Sequence, residues 1–163
     1  MEEALYAYLK KLKIPFETHE HAPAFTCDQM GDIKKNMPAH GGIKNLFLKD
    51  KKKRYYLLSA LYDTKIELKM LAKTWEAPEL RFARPDELET ILGVKPGSVT
   101  LFALLNDKNH VVQVILDNAI FAQERIGLHP LRNDKTTLVT PQDAKTFAES
   151  LGYAIWELPG QLS

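Results

Sequence analysis

The chain has 163 residues, of which 45% are hydrophobic and 26% are charged, and its formal net charge at pH 7 is +1. This length and composition indicate a globular protein with a sizeable core, and we expect residues 1–163 to form a single domain. The small net charge excludes a polycation, so any nucleic acid must be bound through a local basic patch.

The sequence shows none of the usual targeting features. The first residues, MEEAL, lack the basic start and apolar stretch of a signal peptide, and no apolar run approaches the ~20 residues needed to cross a bilayer. The only cysteine is Cys27, so no intrachain disulfide can form and a reducing compartment fits. We therefore expect a cytoplasmic protein with no membrane partner.

Apolar spacing and turn residues predict the elements of the first half of the chain. One-sided spacing predicts a helix over 2–13, and alternation predicts a short strand over 15–21. Thr26 is a candidate N-cap for a helix that runs towards Pro38, and Thr64 is a candidate cap for another helix. Two apolar runs joined by a charged turn predict a hairpin. The hairpin strands are expected over 43–49 and 54–60, its turn over 50–53, and the second capped helix over 65–74.

The sequence of the second half of the chain predicts further strands and two helices. A proline near the first turn and a glycine at the end are typical of a helix that opens at Arg84-Pro85 and ends at Gly93. Residues 99–105 form a compact apolar segment whose secondary structure the sequence leaves open. Strands are expected over 80–83, 110–116, 136–140 and 153–158, a loop over 125–130, and a last helix from Thr140-Pro141 to Gly152. This irregular alternation around a hairpin predicts an α+β fold with a mixed sheet.

The histidines do not match a known metal motif. His19 and His21 would share one face of a strand and His40 lies near them in sequence, so a small metal-dependent hydrolase built on these three stays an alternative. A metal needs three or four convergent ligands, and the H-E-x-x-H pattern is absent, so we predict no metal. Walker and dinucleotide-binding glycine patterns are also absent, so we predict no nucleotide cofactor.

The segment Gly41-Gly42-Ile43-Lys44-Asn45-Leu46-Phe47-Leu48 places a lysine and an asparagine at the mouth of an apolar strand. The two glycines allow another molecule to approach the backbone closely, because neither has a Cβ. A lysine held there, partly shielded from water, can bind a phosphate or a carbonyl group. Taken alone, the same pattern also fits a hairpin turn followed by a solvated lysine.

Basic residues are frequent in the first half of the chain. Lys65, Lys69 and Lys73 are four apart, which predicts a stripe on one helix face. Together with the charged turn they would form a positive rim around Lys44, suited to a phosphate backbone, although each group alone also fits a solvated surface. We assign the contacts with the nucleic-acid backbone to the turn residues Lys51, Lys52, Lys53 and Arg54.

The segment Gly127-Leu128-His129-Pro130 predicts a stiff loop that carries an imidazole. The glycine permits a tight turn, and the proline restricts both itself and the histidine before it. Such a loop can serve as a specificity wall or a hydrogen-bonding group. Alone, the segment also fits a turn with an exposed histidine.

Considered together, these segments resemble a known family. The chain is similar to the stand-alone prolyl-tRNA editing proteins of the YbaK and prolyl-tRNA-synthetase-associated domain family, and most similar to the branch that removes alanine from mischarged tRNA-Pro. The resemblance covers nearly the whole chain. It is carried by His21-Ala22-Pro23-Ala24-Phe25-Thr26, the lysine-asparagine strand 41–48, Pro96-Gly97-Ser98-Val99-Thr100, and Gly127-Leu128-His129-Pro130-Leu131-Arg132-Asn133.

The resemblance implies a compact α+β domain with a curved mixed sheet and outer helices, and an aminoacyl-ester hydrolase without metal or organic cofactor. Lys44 matches the essential lysine of the family. His129 matches the loop histidine of the alanine-specific branch, whereas cysteine-specific relatives tend to carry a serine before that proline. The remaining residues that the resemblance assigns to substrate binding are Asn45, Gly127, Pro130, Phe25 and Ser98.

The implied partner is the acceptor end of mischarged tRNA-Pro, and prolyl-tRNA synthetase is a second candidate partner. Two alternatives within this fold remain open at this point. One is a deacylase for cysteinyl-tRNA-Pro or another mischarged tRNA. The other is a non-catalytic tRNA-binding module that kept the fold without the activity.

Overall fold

The computed structural model describes residues 1–24 and 26–158. Within them the chain forms five α-helices, eight strands and two 3-10 helices. The helices are α1 (Glu2–Lys11), α2 (Cys27–Lys34), α3 (Leu68–Thr74), α4 (Pro85–Leu92) and α5 (Pro141–Ser150), and the 3-10 helices cover Leu101–Asn106 and Asn118–Ala122. The strands are β1 (Glu17–Glu20), β2 (Gly41–Lys49), β3 (Tyr55–Leu61), β4 (Arg81–Phe82), β5 (Val112–Asp117), β6 (Ile126–Leu128), β7 (Lys135–Val139) and β8 (Ile155–Leu158).

The strands form one mixed sheet in the order β1-β7-β6-β2-β3-β5-β8, and β4 also pairs with β2. The β2–β3 hairpin is antiparallel, whereas β2–β6, β3–β5 and β5–β8 are parallel. This arrangement confirms the predicted α+β fold with a mixed sheet and outer helices. None of the helices in the described ranges is long and apolar enough to span a membrane.

Side chains of the central strands alternate between two apolar cores, one on each face of the sheet. In β5, Val114 enters the larger core and Ile115 enters the smaller one. The larger core also contains apolar side chains of α1, α4 and α5, such as Leu9 and Phe147. The smaller core is closed by α3 and Trp75. The sheet is therefore covered on both faces.

Strand β2 is paired at its two ends and open on one side in between. Its start, Gly41 and Gly42, pairs with β6, and its end, Leu48 and Lys49, pairs with β4. On its other side β2 pairs with β3 along residues 43–49. The edge between the β6 and β4 pairings therefore faces an opening in the sheet, and the segment Lys44-Asn45 lies there.

The structure corrects several of the sequence predictions. Residues 126–128 form strand β6 and not a loop, because they pair with β2 on one side and β7 on the other. Helix α3 begins at Leu68 after an N-cap at Glu67, so Thr64 does not cap it. Lys65 lies before this helix, so the predicted stripe keeps only Lys69 and Lys73. Helix α2 ends at Lys34, before the position predicted from Pro38.

Candidate active site

A cavity of about 240 Å³ lies at the opening beside β2. Four consecutive residues of β2 line it, since the strand edge is uncovered there. The segment around α2 closes one side, and His129 and the turn before the first 3-10 helix close others. The lining residues are Ala24, Thr26, Met30, Ile43, Lys44, Asn45, Leu46, Tyr62, Gly97, Val99 and His129.

Lys44 lines this cavity, and its side chain is partly shielded from solvent. Its Nζ donates a hydrogen bond to the main-chain oxygen of Thr64, just beyond the end of β3. An ammonium group has three donors, so this bond fixes its position and leaves the others for a ligand. The lysine is therefore a cation held on rigid structure at the cavity wall.

Asn45 follows Lys44 and lies directly opposite Ser59 in the β2–β3 register. The Ser59 hydroxyl donates to Asn45 Oδ1 over 2.6 Å. Because this bond occupies the amide oxygen, the amide nitrogen is the group left to donate to a ligand. Ser59 is buried, so the pair is held inside the protein at the edge of the cavity.

His129 presents a neutral imidazole to the cavity. Desolvation by its surroundings lowers the pKa of this histidine, although the bond to Lys135 acts in the opposite direction. Nδ1 lies 3.0 Å from the Lys135 carbonyl oxygen, and since a carbonyl only accepts, Nδ1 carries the proton. Nε2 is then an acceptor. The ring of His21 lies beside it, with centroids 6.3 Å apart.

Two glycines are required by close packing around this site. A Cβ on Gly42 would lie 2.3 Å from the ring of Tyr62. A Cβ on Gly127 would lie 2.8 Å from the ring of His40 and 2.8 Å from Thr136. Any larger residue would displace these side chains. Gly127 is not among the described residues that line the cavity, and the absence of a Cβ there allows β6 to pack against His40 and Thr136.

The remaining residues assigned to substrate binding are placed less directly. Ser98 is buried between Gly97 and Val99, which both line the cavity. Pro130 is buried and lines a separate surface depression together with Glu2 and Arg132. Phe25 lies outside the described residues.

Several lining residues were not singled out from the sequence. The sequence predicts Thr26 as an N-cap, and its hydroxyl accepts a hydrogen bond from the main-chain N–H of Gln29 at 3.1 Å. Tyr62 carries no sequence motif and reaches the cavity because it directly follows β3, whereas Val99 belongs to the segment 96–100 that carries the resemblance and lies in the turn before the first 3-10 helix. Met30 follows from its position on α2, one turn after Thr26.

The basic turn lies at the opposite end of β2 from Lys44, roughly 20 Å away at ~3.3 Å per residue. Arg54 is bound by Asp50 over 2.7 Å and by the main-chain oxygen of Glu76 over 2.8 Å. Lys51 pairs with Glu79 over 3.5 Å. In the described part of the chain, the turn's cations without an ion pair are Lys52 and Lys53.

The three histidines of the alternative metal site are not brought together at the cavity. His21 contacts the Thr136 hydroxyl over 2.8 Å, and His40 donates to the Pro38 carbonyl oxygen over 2.8 Å. Across residues 1–24 and 26–158, no group of three or more histidine, cysteine, aspartate or glutamate side chains is arranged to hold a metal ion.

A family model described as the aminoacyl-tRNA editing domain matches residues 21–147. The chain belongs to this family. The matched region of this editing domain contains every residue that lines the cavity. The family resemblance, and with it the prediction of an aminoacyl-tRNA hydrolase, is confirmed.

Curated relatives match the editing domain over most of their own length. The prolyl-tRNA editing protein ProX of Acetoanaerobium sticklandii is 33% identical, and the alignment covers 93% of this chain and 92% of ProX. Prolyl-tRNA synthetase associated domain-containing protein 1 of Danio rerio is 34% identical, with 91% of this chain and 82% of that protein covered.

A solved structure shows the same fold. It is described as a candidate trans-editing enzyme for prolyl-tRNA synthetase, and it superposes with a TM-score of 0.73 at 15% identity. The superposition covers 96% of this chain and 95% of the other. At this identity the similarity supports the fold of the editing domain and not its substrate.

Proposed function

We propose that this editing domain acts in trans on mischarged tRNA-Pro, from which it removes alanine by hydrolysing the aminoacyl ester. One observation carries the proposal: Lys44 and His129 line the same small cavity. A fixed cation and a neutral imidazole in a partly apolar cavity suit an ester of a small amino acid. We take residues 1–163 as the single catalytic domain.

In this proposal Lys44 stabilises the negative charge that develops during the reaction. Hydrolysis of an ester passes through a tetrahedral intermediate whose oxygen carries that charge. The ammonium of Lys44, held by the Thr64 carbonyl, and the amide nitrogen of Asn45 are donors on adjacent residues of one strand. Because an aminoacyl ester is already activated, such donors and a positioned water account for the reaction.

Selection for alanine is by size in this account. The cavity has about 240 Å³ and its walls include Ile43, Leu46 and Val99. His129 closes it on a further side, where its Nδ1 is fixed by the Lys135 carbonyl. Such walls admit a methyl side chain and exclude a prolyl ring. Steric exclusion of this kind discriminates more strongly than the gain from filling a pocket with one more methylene.

We assign the activation of the water to the substrate. Lys44, Tyr62 and His129 are the titratable side chains among the described residues that line the cavity, and no carboxylate is among them. The ribose hydroxyl next to the ester is close to the reacting carbonyl in any bound pose. Replacing it with hydrogen should therefore slow hydrolysis, and an unchanged rate would refute this step.

The proposed partners follow from the substrate. The acceptor end of tRNA must reach the cavity, and we place contacts with its phosphate backbone at the turn that contains Lys52 and Lys53. Prolyl-tRNA synthetase is the proposed source of the mischarged tRNA, which places the reaction in the cytoplasm. A protein of Schizosaccharomyces pombe described as a candidate proline–tRNA ligase is 29% identical over 124 residues, which cover 72% of this chain and 17% of that protein, and this match supports the pairing.

The experiment that tests the proposal is hydrolysis of a panel of alanyl-, cysteinyl-, seryl- and prolyl-tRNA-Pro by the purified protein. The proposal expects alanyl-tRNA-Pro to be cleaved with the highest kcat/KM and prolyl-tRNA-Pro to be spared. Preferred cleavage of the cysteinyl ester would move the protein to the other branch of the family. No cleavage of any ester would indicate a tRNA-binding module.

A further inference from the structure

An apolar groove of about 300 Å³ adjoins the cavity. The two share Asn45, Leu46, Gly97 and Val99, so they are continuous along β2 and the turn before the first 3-10 helix. From these shared residues the groove extends to Phe82 on β4. It therefore begins where the proposed ester would lie and leads away from Lys44 along the sheet.

Phe82 lies at the far end of this groove, and its side chain is unusually exposed. Its relative exposure is 56%, although its backbone is held in β4 opposite Leu48 of β2. The next residue, Ala83, donates a 2.9 Å hydrogen bond to the Phe47 carbonyl oxygen. The ring is therefore an open aromatic surface on rigid backbone, which suits stacking with a flat ring system.

An exposed lysine without an ion pair among the described residues lies next in sequence to a residue that lines the groove. Lys95 precedes Pro96, which lines the groove, and Lys95 is exposed with no ion pair in the described parts of the chain. The neighbouring Arg81 is engaged, since it donates to Glu87 over 3.2 Å and to the Phe82 carbonyl oxygen over 2.8 Å. Lys95 is thus available to a phosphate beside the groove.

The size of the cavity requires a second compartment for the proposed substrate. Its volume of about 240 Å³ lies below the ~300–1,000 Å³ of sites that hold drug-sized ligands. It can take the aminoacyl group, whereas the attached nucleoside must lie outside. The ester joins the two directly, so the nucleoside has to occupy space continuous with the cavity.

We propose that the groove binds the terminal adenosine of the tRNA, with its base stacked on Phe82 and its phosphate facing Lys95. This inference rests on the proposed function, because it assigns the nucleoside half of the same substrate. Every base has a face that can stack on an aromatic ring, so the contact contributes affinity and not discrimination between tRNAs. It explains the exposure of Phe82 by giving the ring a ligand.

The test compares wild type, Phe82→Ala and Phe82→Tyr, with Val111→Ala as a control at another exposed apolar residue outside the groove. Binding of AMP is measured by calorimetry, and KM is measured for alanyl-tRNA-Pro and for alanine methyl ester, which lacks a nucleoside. Because Phe82 is exposed, its replacement should leave the fold intact, and circular dichroism checks this.

We expect Phe82→Ala to weaken AMP binding and to raise KM for alanyl-tRNA-Pro, each roughly five- to hundredfold, the range of one lost base–aromatic stack. Phe82→Tyr should stay near wild type, and KM for the methyl ester should not change. Equal AMP binding by wild type and Phe82→Ala would overturn the inference. The AMP measurement does not depend on turnover. An inactive wild type would therefore refute the proposed function, whereas AMP binding would still test whether the groove binds adenosine.

Discussion

The hydroxyl of Ser59 donates a 2.6 Å hydrogen bond to the amide oxygen of Asn45, directly across the β2–β3 ladder. Ser59 does not line the cavity, whereas Asn45 does. The serine therefore acts through the asparagine, because it fixes which end of the amide is free to donate. The β2–β3 register thus orients a side chain of the proposed active site.

Replacing Ser59 with alanine should free the amide to rotate. We expect kcat/KM for alanyl-tRNA-Pro to fall about fivefold, since one neutral hydrogen bond contributes ~1 kcal/mol. The matched control is Thr137→Val, which removes the hydrogen bond between the half-buried Thr18 hydroxyl and the buried Thr137 hydroxyl, 2.8 Å apart on β1 and β7. Both variants should lose similar stability in urea titrations. An equal loss of kcat/KM in both would show that Ser59 has only a structural role.

His129→Ala should relax the choice of amino acid. Without the imidazole wall the cavity can accept a larger side chain, so we expect the ratio of kcat/KM for alanyl- over prolyl-tRNA-Pro to fall by at least about tenfold. Deacylation assays with both esters measure this ratio. His110→Ala is the control, because His110 is exposed and stacks on Tyr153 outside the cavity. A ratio that stays at the wild-type value would show that His129 does not contribute to the choice between the alanyl and prolyl esters.

Acid should destabilise the protein through His129 and His40. Burial lowers the pKa of both histidines, so below the ordinary value of ~6.5 the unfolded chain binds protons that the folded chain does not. The contribution of these two histidines to the free energy of unfolding is therefore fully present above pH ~6.5. It is lost as the pH falls towards their pKa values in the folded state. Each histidine contributes at most ~1.4 kcal/mol per pH unit.

Denaturant titrations of wild type, His129→Asn and His40→Asn between pH 7.5 and about 5 measure this dependence. Each variant should show a shallower decline than wild type. His110→Asn serves as the exposed control and should follow wild type. Parallel curves for all four proteins would mean that the protonation of neither His129 nor His40 is linked to folding in this range.

Contacts with the tRNA backbone are expected at the hairpin turn. Removing Lys52 and Lys53 together should raise KM for alanyl-tRNA-Pro and reduce the slope of log affinity against log salt by about 2. The matched double variant removes Lys69 and Lys73, which are also exposed and lie on α3. Should the α3 pair change the slope and the turn pair leave it unaltered, the backbone contacts belong to α3.

Local signals in the sequence were sufficient for much of the fold. Thr26 caps α2 with its side chain, and Gly93 ends α4 with a φ of 65°. In both cases the residue itself determines the local conformation, so the sequence alone predicts it. The hairpin strands were predicted within a few residues for the same reason, because apolar runs and a charged turn are local.

Features that depend on distant pairing could not be predicted in this way. The sequence predicts a loop at β6 because Gly127 and Pro130 are turn residues, whereas pairing with β2 and β7 keeps this segment extended. The Lys44–Thr64 contact and the Asn45–Ser59 bond depend on the β2–β3 register. Tyr62 reaches the cavity through that same register.

The most direct test of the account is single-turnover hydrolysis of alanyl-tRNA-Pro by wild type and Lys44→Ala. Lys10→Ala is the control, since Lys10 is an exposed lysine on α1. We expect Lys44→Ala to lose at least about a hundredfold in rate, the range seen when one donor to a developing oxyanion is removed, with its fold and thermal midpoint retained. A Lys44→Ala variant that hydrolyses the ester at the wild-type rate would contradict the assignment of this cavity as the active site.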